Sequence, residues 1–142
     1  AAESPDIRRI LAEQGRTGRS IVLTPHVGEL ARLLGKAVPE IQERLADYGR
    51  DLAMELQTVV AAKDARTFIC KPGEPVCVNL SGNSGLATAG SGDVLAGIVA
   101  GLMAQGMDAC RAACVGVYFH GCMGNKAAWQ HGEHGCMAGD LV

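Results

Sequence analysis

The sequence contains 142 residues, 48% of them hydrophobic, which is enough for one domain with a buried core. Its formal net charge of −2 and its 4% aromatic content argue against a nucleic-acid-binding surface or a basic membrane-binding patch. No window approaches the roughly 18 uninterrupted apolar residues of a membrane span, and the N-terminal residues show no signal-peptide pattern.

The first half of the chain alternates predicted helices and strands. Ser4-Pro5 is typical of a helix start, and Gly15 is typical of its end. The later elements are, in order, a strand at residues 20–24, a short helix at 28–35, a longer helix from Pro39 to Leu56 and a strand at 58–62. A strand, helix and strand in this order predict a βαβ unit, with parallel strands and a right-handed crossover.

The second half contains a predicted hairpin and two apolar helices. Residues 67–71 and 76–79 flank Pro72-Gly73-Glu74-Pro75, which predicts the hairpin. Residues 93–105 and 109–130 have helical patterns with apolar residues nearly all round, so we expect both helices to be largely buried. The sheet is too small to cover them, and we expect neighbouring chains or a preceding N-terminal half to do so.

Six cysteines lie mostly in apolar surroundings, and none belongs to a Cys-x-x-Cys pair. We interpret them as buried, reduced thiols, which are typical of a cytosolic protein. A disulfide between Cys70 and Cys77 across the hairpin is the alternative. The segment from His131 to Cys136 has two histidines, but its spacing fits no zinc finger, so a solvated loop is favoured over a metal site.

The most informative segment is residues 82–95, in which small residues precede Asp93 and an apolar helix pattern. Glycines allow backbone N–H groups to approach a ligand closely, and the first turn of a helix binds anions. A phosphate would repel Asp93, so the carboxylate suggests a second task, such as accepting a proton from a substrate hydroxyl. Phosphoryl transfer is therefore predicted. The alternative is that Asp93 serves only as a helix N-cap.

Three stretches, in order, resemble signatures of one enzyme family. Leu23-Thr24-Pro25-His26-Val27-Gly28-Glu29 is similar to a Thr-Pro-His-x-Gly-Glu signature, and Lys63-Asp64-Ala65-Arg66-Thr67 resembles a Lys-Gly-x-x-Thr nucleotide loop. Gly90-Ser91-Gly92-Asp93 resembles a Gly-Thr-Gly-Asp signature, and the residues from Gly116 to Gly121 are also similar to the family. The chain thus resembles the C-terminal half of the ADP/ATP-dependent NAD(P)H-hydrate dehydratases, members of the ribokinase-like superfamily.

The resemblance implies a partial ribokinase-like α/β sandwich with mostly parallel strands, a hairpin and two long buried helices. Residues 1–142 would form the C-terminal part of a single domain. The implied activity removes water from hydrated NAD(P)H, with ADP or ATP phosphorylating the ring hydroxyl and ADP preferred. The implied partners are the hydrated dinucleotide and an adenine nucleotide, with an indirect role for Mg²⁺. We expect a cytoplasmic homo-oligomer, and we expect this chain alone to be inactive.

The resemblance also implies roles for single residues at the matching positions. His26 and Asp93 would contact the hydrated dinucleotide, with Asp93 as the catalytic base. Nucleotide contacts are implied for Lys63, Asp64, Ala65, Arg66, Thr67, Gly90, Ser91 and Gly92. Lys63 and Arg66 offer positive charge, and the Arg66 guanidinium can bind a phosphate through two hydrogen bonds. Glu29 is the expected indirect partner of Mg²⁺.

Some positions depart from the family pattern. Val27 replaces a proline, Asp64 replaces a glycine and adds negative charge near phosphate, and Asn125 stands where aspartate is common. Simpler interpretations also remain open, because Lys63 and Arg66 could be solvated surface charges. His26 could likewise be a capping or buried histidine.

Two other functions stay open at this point. A small-molecule kinase of the same superfamily, acting on a vitamin precursor or a sugar, would share the glycine loop and Asp93. The Thr-Pro-His-x-Gly-Glu stretch argues against that kinase. A non-catalytic assembly module would instead use the apolar helices to pack between subunits.

Overall fold

The computed structural model describes residues 4–142, which form two compact units, one ending at Val78 and the other spanning Asn79–Val142. The helices are α1 (Pro5–Arg16), α2 (Val27–Leu34), α3 (Val38–Glu43), α4 (Leu45–Leu56), α5 (Ser91–Ala104) and α6 (Ala109–His131). The strands are β1 (Val22–Leu23), β2 (Val59–Lys63), β3 (Thr67–Cys70) and β4 (Cys77–Asn79). Short 3₁₀ turns cover Ser84–Ala87, Glu133–Gly135 and Ala138–Leu141.

The sheet has the strand order β1-β2-β3-β4. β1 and β2 pair in parallel, which confirms the predicted βαβ unit, and β4 lies beside β3, as the predicted hairpin requires. β2 and β3 pair in an antiparallel manner, with Lys63 opposite Thr67. The sheet is therefore mixed, and the antiparallel turn at residues 64–66 was not predicted because it contains no glycine or proline.

The helix predicted from Pro39 to Leu56 is two helices. The chain breaks at Arg44, whose φ of −133° lies outside the helical region, so α3 ends at Glu43 and α4 begins at Leu45. Ile41 and Leu45 are both buried on either side of the break. Their four-residue spacing fits a continuous helix equally well, so the apolar pattern could not reveal the change of direction.

The core of the first unit lies where α2, α3 and α4 pack around the sheet. Its fully buried side chains include Leu30, Ile41, Leu52, Leu56 and Val60. α1 approaches the end of α4 very closely: a Cβ added at Gly15 would lie 2.3 Å from the carbonyl oxygen of Leu56. Burial of these apolar side chains stabilises the position of the paired strands β1 and β2.

Arg8 connects α1 with two other helices. Its Nε and Nη2 donate to the two carboxylate oxygens of Glu55 at 2.6 Å each, and its Nη1 donates to the carbonyl oxygen of Leu33 at 2.6 Å. The hydrogen bond from Arg8 holds the pKa of the Glu55 carboxyl below its ordinary value. This two-pronged geometry is the favourable form of a partly exposed ion pair.

We expect Arg8→Met to lower the free energy of unfolding by about 1 kcal/mol at neutral pH, since partial exposure screens the pair. The folded-state pKa of Glu55 is depressed, so its contribution is complete above the unfolded pKa, about 4.3, and is lost as the pH falls through the folded value. The stability difference between wild type and variant should shrink in acid. Urea unfolding at neutral and acidic pH measures it, with Arg9→Met as the control for an exposed i,i+4 pair. Equal differences at both pH values would contradict the prediction.

The second unit is built on the packing of two helices, α5 and α6, with the glycine-rich segment beside them. α6 buries one face through Ala112, Ala113, Gly116, Val117, His120, Gly121, Gly124 and Ala127. Small residues allow close approach there: an added Cβ at Gly116 would lie 2.7 Å from Val99 Cγ2, and one at Gly124 would lie 2.6 Å from Leu86 Cδ2.

One expectation for these helices was wrong, because α5 begins at Ser91, two residues before the predicted start at Asp93. Within residues 4–142 neither helix is buried all round: α5 buries only Ser91, Leu95 and Val99, and Tyr118 and Phe119 on α6 are exposed. This exposure agrees with the expectation that the small sheet does not cover both helices.

The cysteines also differ from the expectation of uniformly buried thiols. Only Cys70 and Cys136 are buried, Cys77 is exposed, and the other three are intermediate. Burial raises the pKa of the Cys70 thiol to about 11. No disulfide joins any pair among the six, all of which lie in the described part of the chain, so Cys70 and Cys77 are not bonded. Among the described helices, none has the length and apolar character needed to cross a membrane.

Candidate active site

His26 begins α2 and caps it. Its Nδ1 accepts hydrogen bonds from the backbone N–H groups of Gly28 and Glu29 at 3.1 and 3.3 Å, while Glu29 Oε2 accepts the His26 N–H at 2.8 Å. This is a capping box, in which two otherwise unpaired backbone donors are satisfied. Because Nδ1 is an acceptor, the neutral ring carries its proton on Nε2, and 57% of the side chain is exposed. Capping therefore leaves the ring one donor, Nε2, which lies 3.6 Å from Oε2 of Glu29.

Lys63 lies beside His26 at one end of the sheet. The two residues form a parallel β-bridge, and the Lys63 N–H donates to the carbonyl oxygen of Pro25 at 2.9 Å. His26 follows the carboxyl end of β1, and Lys63 is the last residue of β2, which is the end at which ligands bind in open α/β sheets. The structure thus brings together two site residues that are far apart in the sequence.

The predicted nucleotide loop is the tight turn between β2 and β3. The Asp64 N–H donates to the carbonyl oxygen of Arg66 at 3.1 Å, which closes the turn, and Asp64, Ala65 and Arg66 are exposed. Thr67 opens β3 and is half-buried. Arg66 and Asp64 belong to the same turn. The negative charge that departs from the family pattern therefore lies in the turn that also carries the Arg66 guanidinium.

The glycine loop of the second unit ends at the start of α5. Gly90 has φ +87°, in the left-handed region that glycine tolerates, and serves as the N-cap of α5. Asp93 is in the first turn rather than at the cap, and its side chain is exposed. The N–H groups of Asp93 and Val94 both donate to the Gly90 carbonyl oxygen at 3.1 Å. The interpretation of Asp93 as an N-cap was therefore wrong.

Ser91 differs from what its place in the motif suggested. Only 3% of the residue is exposed, and its Oγ lies 3.0 Å from Nε2 of His120. Its N–H donates to the carbonyl oxygen of Thr88 at 3.3 Å. The hydroxyl of Ser91 therefore faces α6, and the N–H groups of Ser91, Asp93 and Val94 all donate to carbonyl oxygens of the same segment.

His120 contacts Ser91 at the start of α5, and the sequence did not identify it as a candidate site residue. It is buried, and it belongs to the stretch from Gly116 to Gly121, whose resemblance to the family was the only available signal. Asn125 on α6 also acquires a role, since its Oδ1 accepts a hydrogen bond from Nδ2 of Asn83 at 3.0 Å. An aspartate at position 125 would offer the same acceptor, so this departure from the family pattern preserves the contact.

The predicted site residues fall into two groups, each within one unit. The first unit gathers His26 with Lys63 and the turn at 64–67, and the second unit places Gly90, Ser91, Gly92 and Asp93 on one turn. Among residues 4–142, no three His, Cys, Asp or Glu side chains are arranged to hold a metal ion. In the segment considered for zinc, Glu133 instead accepts a hydrogen bond from Ser84 Oγ, and His131 Nε2 lies 3.8 Å from Asp140 Oδ1.

Comparison with known proteins identifies close relatives. The family model described as NAD(P)H-hydrate dehydratase matches residues 9–142. The chain is 47% identical over 141 residues to the bifunctional NAD(P)H-hydrate repair enzyme Nnr of Moorella thermoacetica, covering 99% of this chain and 26% of that protein. It is 40% identical to the ADP-dependent (S)-NAD(P)H-hydrate dehydratase of Xanthomonas campestris pv. campestris, covering 87% of this chain and 43% of that protein. The chain therefore spans less than half the length of these curated relatives.

Solved structures agree with the sequence matches. The ADP/ATP-dependent NAD(P)H-hydrate dehydratase of Bacillus subtilis, co-crystallised with ATP and Mg²⁺, superposes with a TM-score of 0.81 and 35% identity, covering 86% of this chain and 44% of that one. A hydroxyethylthiazole kinase from Pyrococcus horikoshii has a TM-score of 0.73 at 21% identity, covering 99% of this chain and 56% of that one, which shows a shared fold. The predicted ribokinase-like α/β class is confirmed, and the chain belongs to the NAD(P)H-hydrate dehydratase family.

Proposed function

We propose that the full-length protein carrying this chain restores NAD(P)H from its hydrated form at the expense of an adenine nucleotide, with ADP preferred over ATP. The observation that carries the proposal is the turn at the start of α5. There the exposed Asp93 follows the tripeptide Gly90-Ser91-Gly92, so a carboxylate and a helix N-terminus lie in the same turn. This combination suits a reaction in which a hydroxyl loses its proton while a phosphoryl group is transferred to it.

The chemistry follows from these groups. Asp93 accepts the proton of the ring hydroxyl as that oxygen forms a bond to the terminal phosphorus of the nucleotide. The bond from that phosphorus to the leaving phosphate oxygen breaks at the same time. The N–H of Gly92 and the positive end of the α5 dipole stabilise the negative charge on the transferring group. The ring then loses phosphate, and loss of a proton from the neighbouring ring carbon restores the double bond.

The first unit supplies binding groups in this proposal. His26 donates from Nε2 to an oxygen of the hydrated dinucleotide, because Nδ1 already accepts from the α2 backbone. Lys63 and Arg66 contribute positive charge toward the nucleotide phosphates, and Asp64, Ala65 and Thr67 shape the turn that carries them. Asp64 weakens the local positive potential, so we expect a lower nucleotide affinity than a glycine at that position would give.

Mg²⁺ enters the proposal only as a companion of the nucleotide phosphates, whose charge it would neutralise. Glu29 Oε2 already accepts the N–H of His26 at 2.8 Å, so its carboxylate is held by the capping box. That arrangement fits an indirect contact through water better than direct coordination.

We further propose that residues 1–142 form the C-terminal part of one ribokinase-like domain, that the protein is a homo-oligomer and that it acts in the cytoplasm.

The test is a direct assay of the full-length protein with hydrated NADH or hydrated NADPH and with ADP or ATP. We expect the hydrate to fall as the reduced dinucleotide rises in equal amount, together with release of phosphate. A phosphorylated vitamin precursor or sugar, formed with ATP while the hydrate stays constant, would replace the proposal with the kinase alternative. The isolated chain is expected to be inactive in the same assay.

A further inference from the structure

His120 on α6 is hydrogen-bonded to Ser91, the first residue of α5. Its Nε2 lies 3.0 Å from the carbonyl oxygen of Ser91 and 3.0 Å from Ser91 Oγ. Both residues are buried, with 7% of His120 and 3% of Ser91 exposed. Ser91 stands between Gly90 and Gly92, so the contact reaches the turn that the proposed function assigns to phosphate binding.

The direction of this hydrogen bond depends on the His120 tautomer. A carbonyl oxygen can only accept, so we assign the tautomer that carries the proton on Nε2, in which Nε2 donates to Ser91. The same carbonyl can also accept the N–H of the next helical turn, because it has two lone pairs. His120 thereby adds a side-chain donor to the first turn of α5 without removing a backbone hydrogen bond.

Other contacts between α6 and the glycine-rich segment place His120 at the end of a series. Ser81 Oγ donates to the Tyr118 carbonyl oxygen at 3.2 Å, and Asn83 Nδ2 donates to Asn125 Oδ1 at 3.0 Å. Close packing at Gly121 and Gly124 allows the segment to lie against the helix backbone. These contacts fix residues 81–87, and the His120 contact fixes the point where the segment enters α5.

We propose that His120 is a positioning residue that sets the orientation of the turn from Gly90 to Asp93. The inference rests on the proposed function, since this orientation matters for a rate only if Asp93 and the nearby N–H groups act on substrate. His120 itself is buried and bound to Ser91, so its effect passes through the backbone. A small displacement of a catalytic group is enough to cost up to about 100-fold in rate.

The experiment compares His120→Gln and His120→Phe in the full-length protein. Glutamine retains an N–H donor on a side chain of similar reach, whereas phenylalanine keeps the ring volume and removes the donor. We expect His120→Phe to lower kcat about tenfold or more with a nearly unchanged KM for the hydrated dinucleotide, and His120→Gln to recover most of the rate. His134→Phe, at an exposed histidine of the same unit, is the matched control and should leave kcat unchanged.

Two structural measurements test the positioning claim independently of activity. Amide hydrogen exchange of the peptide covering residues 88–95 should accelerate in His120→Phe and remain near wild type in His120→Gln. The ¹⁵N spectrum of His120 should show a protonated Nε2. Wild-type exchange in His120→Phe, an unprotonated Nε2, or equal loss of kcat in both variants would overturn the inference. If wild type shows no dehydration, the proposed function fails, while exchange and the ¹⁵N spectrum still decide whether His120 positions the turn.

Discussion

Asp93→Asn should reduce kcat of the full-length enzyme by roughly 100-fold or more, because an amide cannot accept the hydroxyl proton. The substitution keeps the size of the side chain and its place in the first turn of α5. We expect only a small change in stability, since the carboxylate contributes about 0.3–1 kcal/mol through the helix dipole at an exposed position. Steady-state rates with hydrated NADH and ADP, together with thermal unfolding, separate these two effects.

The matched control for this variant is Asp108→Asn. Asp108 caps α6, where its Oδ1 accepts the N–H groups of Cys110 and Arg111 at 3.1 and 3.2 Å. Asparagine caps helices about as well as aspartate, so the control should retain the wild-type rate. If Asp93→Asn also retains it, Asp93 is not the base and a structural role for this residue gains support.

Gly121→Ala should destabilise the protein by about 3 kcal/mol, the upper part of the range for overpacking a tight contact. A Cβ at this position would lie 2.1 Å from Ser81 Oγ and 2.8 Å from the carbonyl carbon of Ser81. The clash involves backbone as well as side chain, so a rotamer change of Ser81 alone cannot relieve it. Urea unfolding of the variant would measure the loss, and the segment leading into the glycine loop should become more sensitive to proteolysis.

Gly101→Ala on α5 provides the opposite case. Apart from its chain neighbours and the nearby backbone of α5, no atom of residues 4–142 lies within 4 Å of a Cβ added at Gly101, and the backbone there is helical. Alanine should therefore increase stability by up to about 1 kcal/mol through its higher helix propensity. If Gly121→Ala and Gly101→Ala destabilise the protein equally, the steric clash described for Gly121 is not the cause of the destabilisation.

Local patterns predicted the parts of the fold that depend on neighbouring residues. The capped helix α2, which ends before Gly35 with its φ of +63°, matches its predicted limits within one residue. Strand β1 lies within its predicted range, and β2 is shifted by one residue from its own. Residue spacing failed where two structures share one pattern. The break at Arg44 keeps the helical spacing of Ile41 and Leu45, and the turn at 64–66 contains no glycine or proline to indicate an antiparallel pairing.

The candidate site shows the same division. The sequence identified Asp93, the glycines around it and the loop at 63–67 through resemblance to a family, and the comparisons confirmed that family. It did not reveal that the Ser91 hydroxyl is buried, and it left capping by His26 as one of several alternatives, which the hydrogen bond from the Gly28 N–H to Nδ1 confirms. Each of these depends on which atoms surround a side chain after folding.

The sequence by itself determined the chemistry that is available: a carboxylate after Gly90-Ser91-Gly92, a histidine before α2 and two cations around a short turn. Only the tertiary structure decided how these groups are held. Packing of α5 against α6 places His120 on Ser91, 29 residues away, and pairing of β1 with β2 places Lys63 beside His26. Hydrogen bonds are short and directional, whereas apolar patterns specify only which faces are buried, so partners distant in the chain are fixed by packing alone.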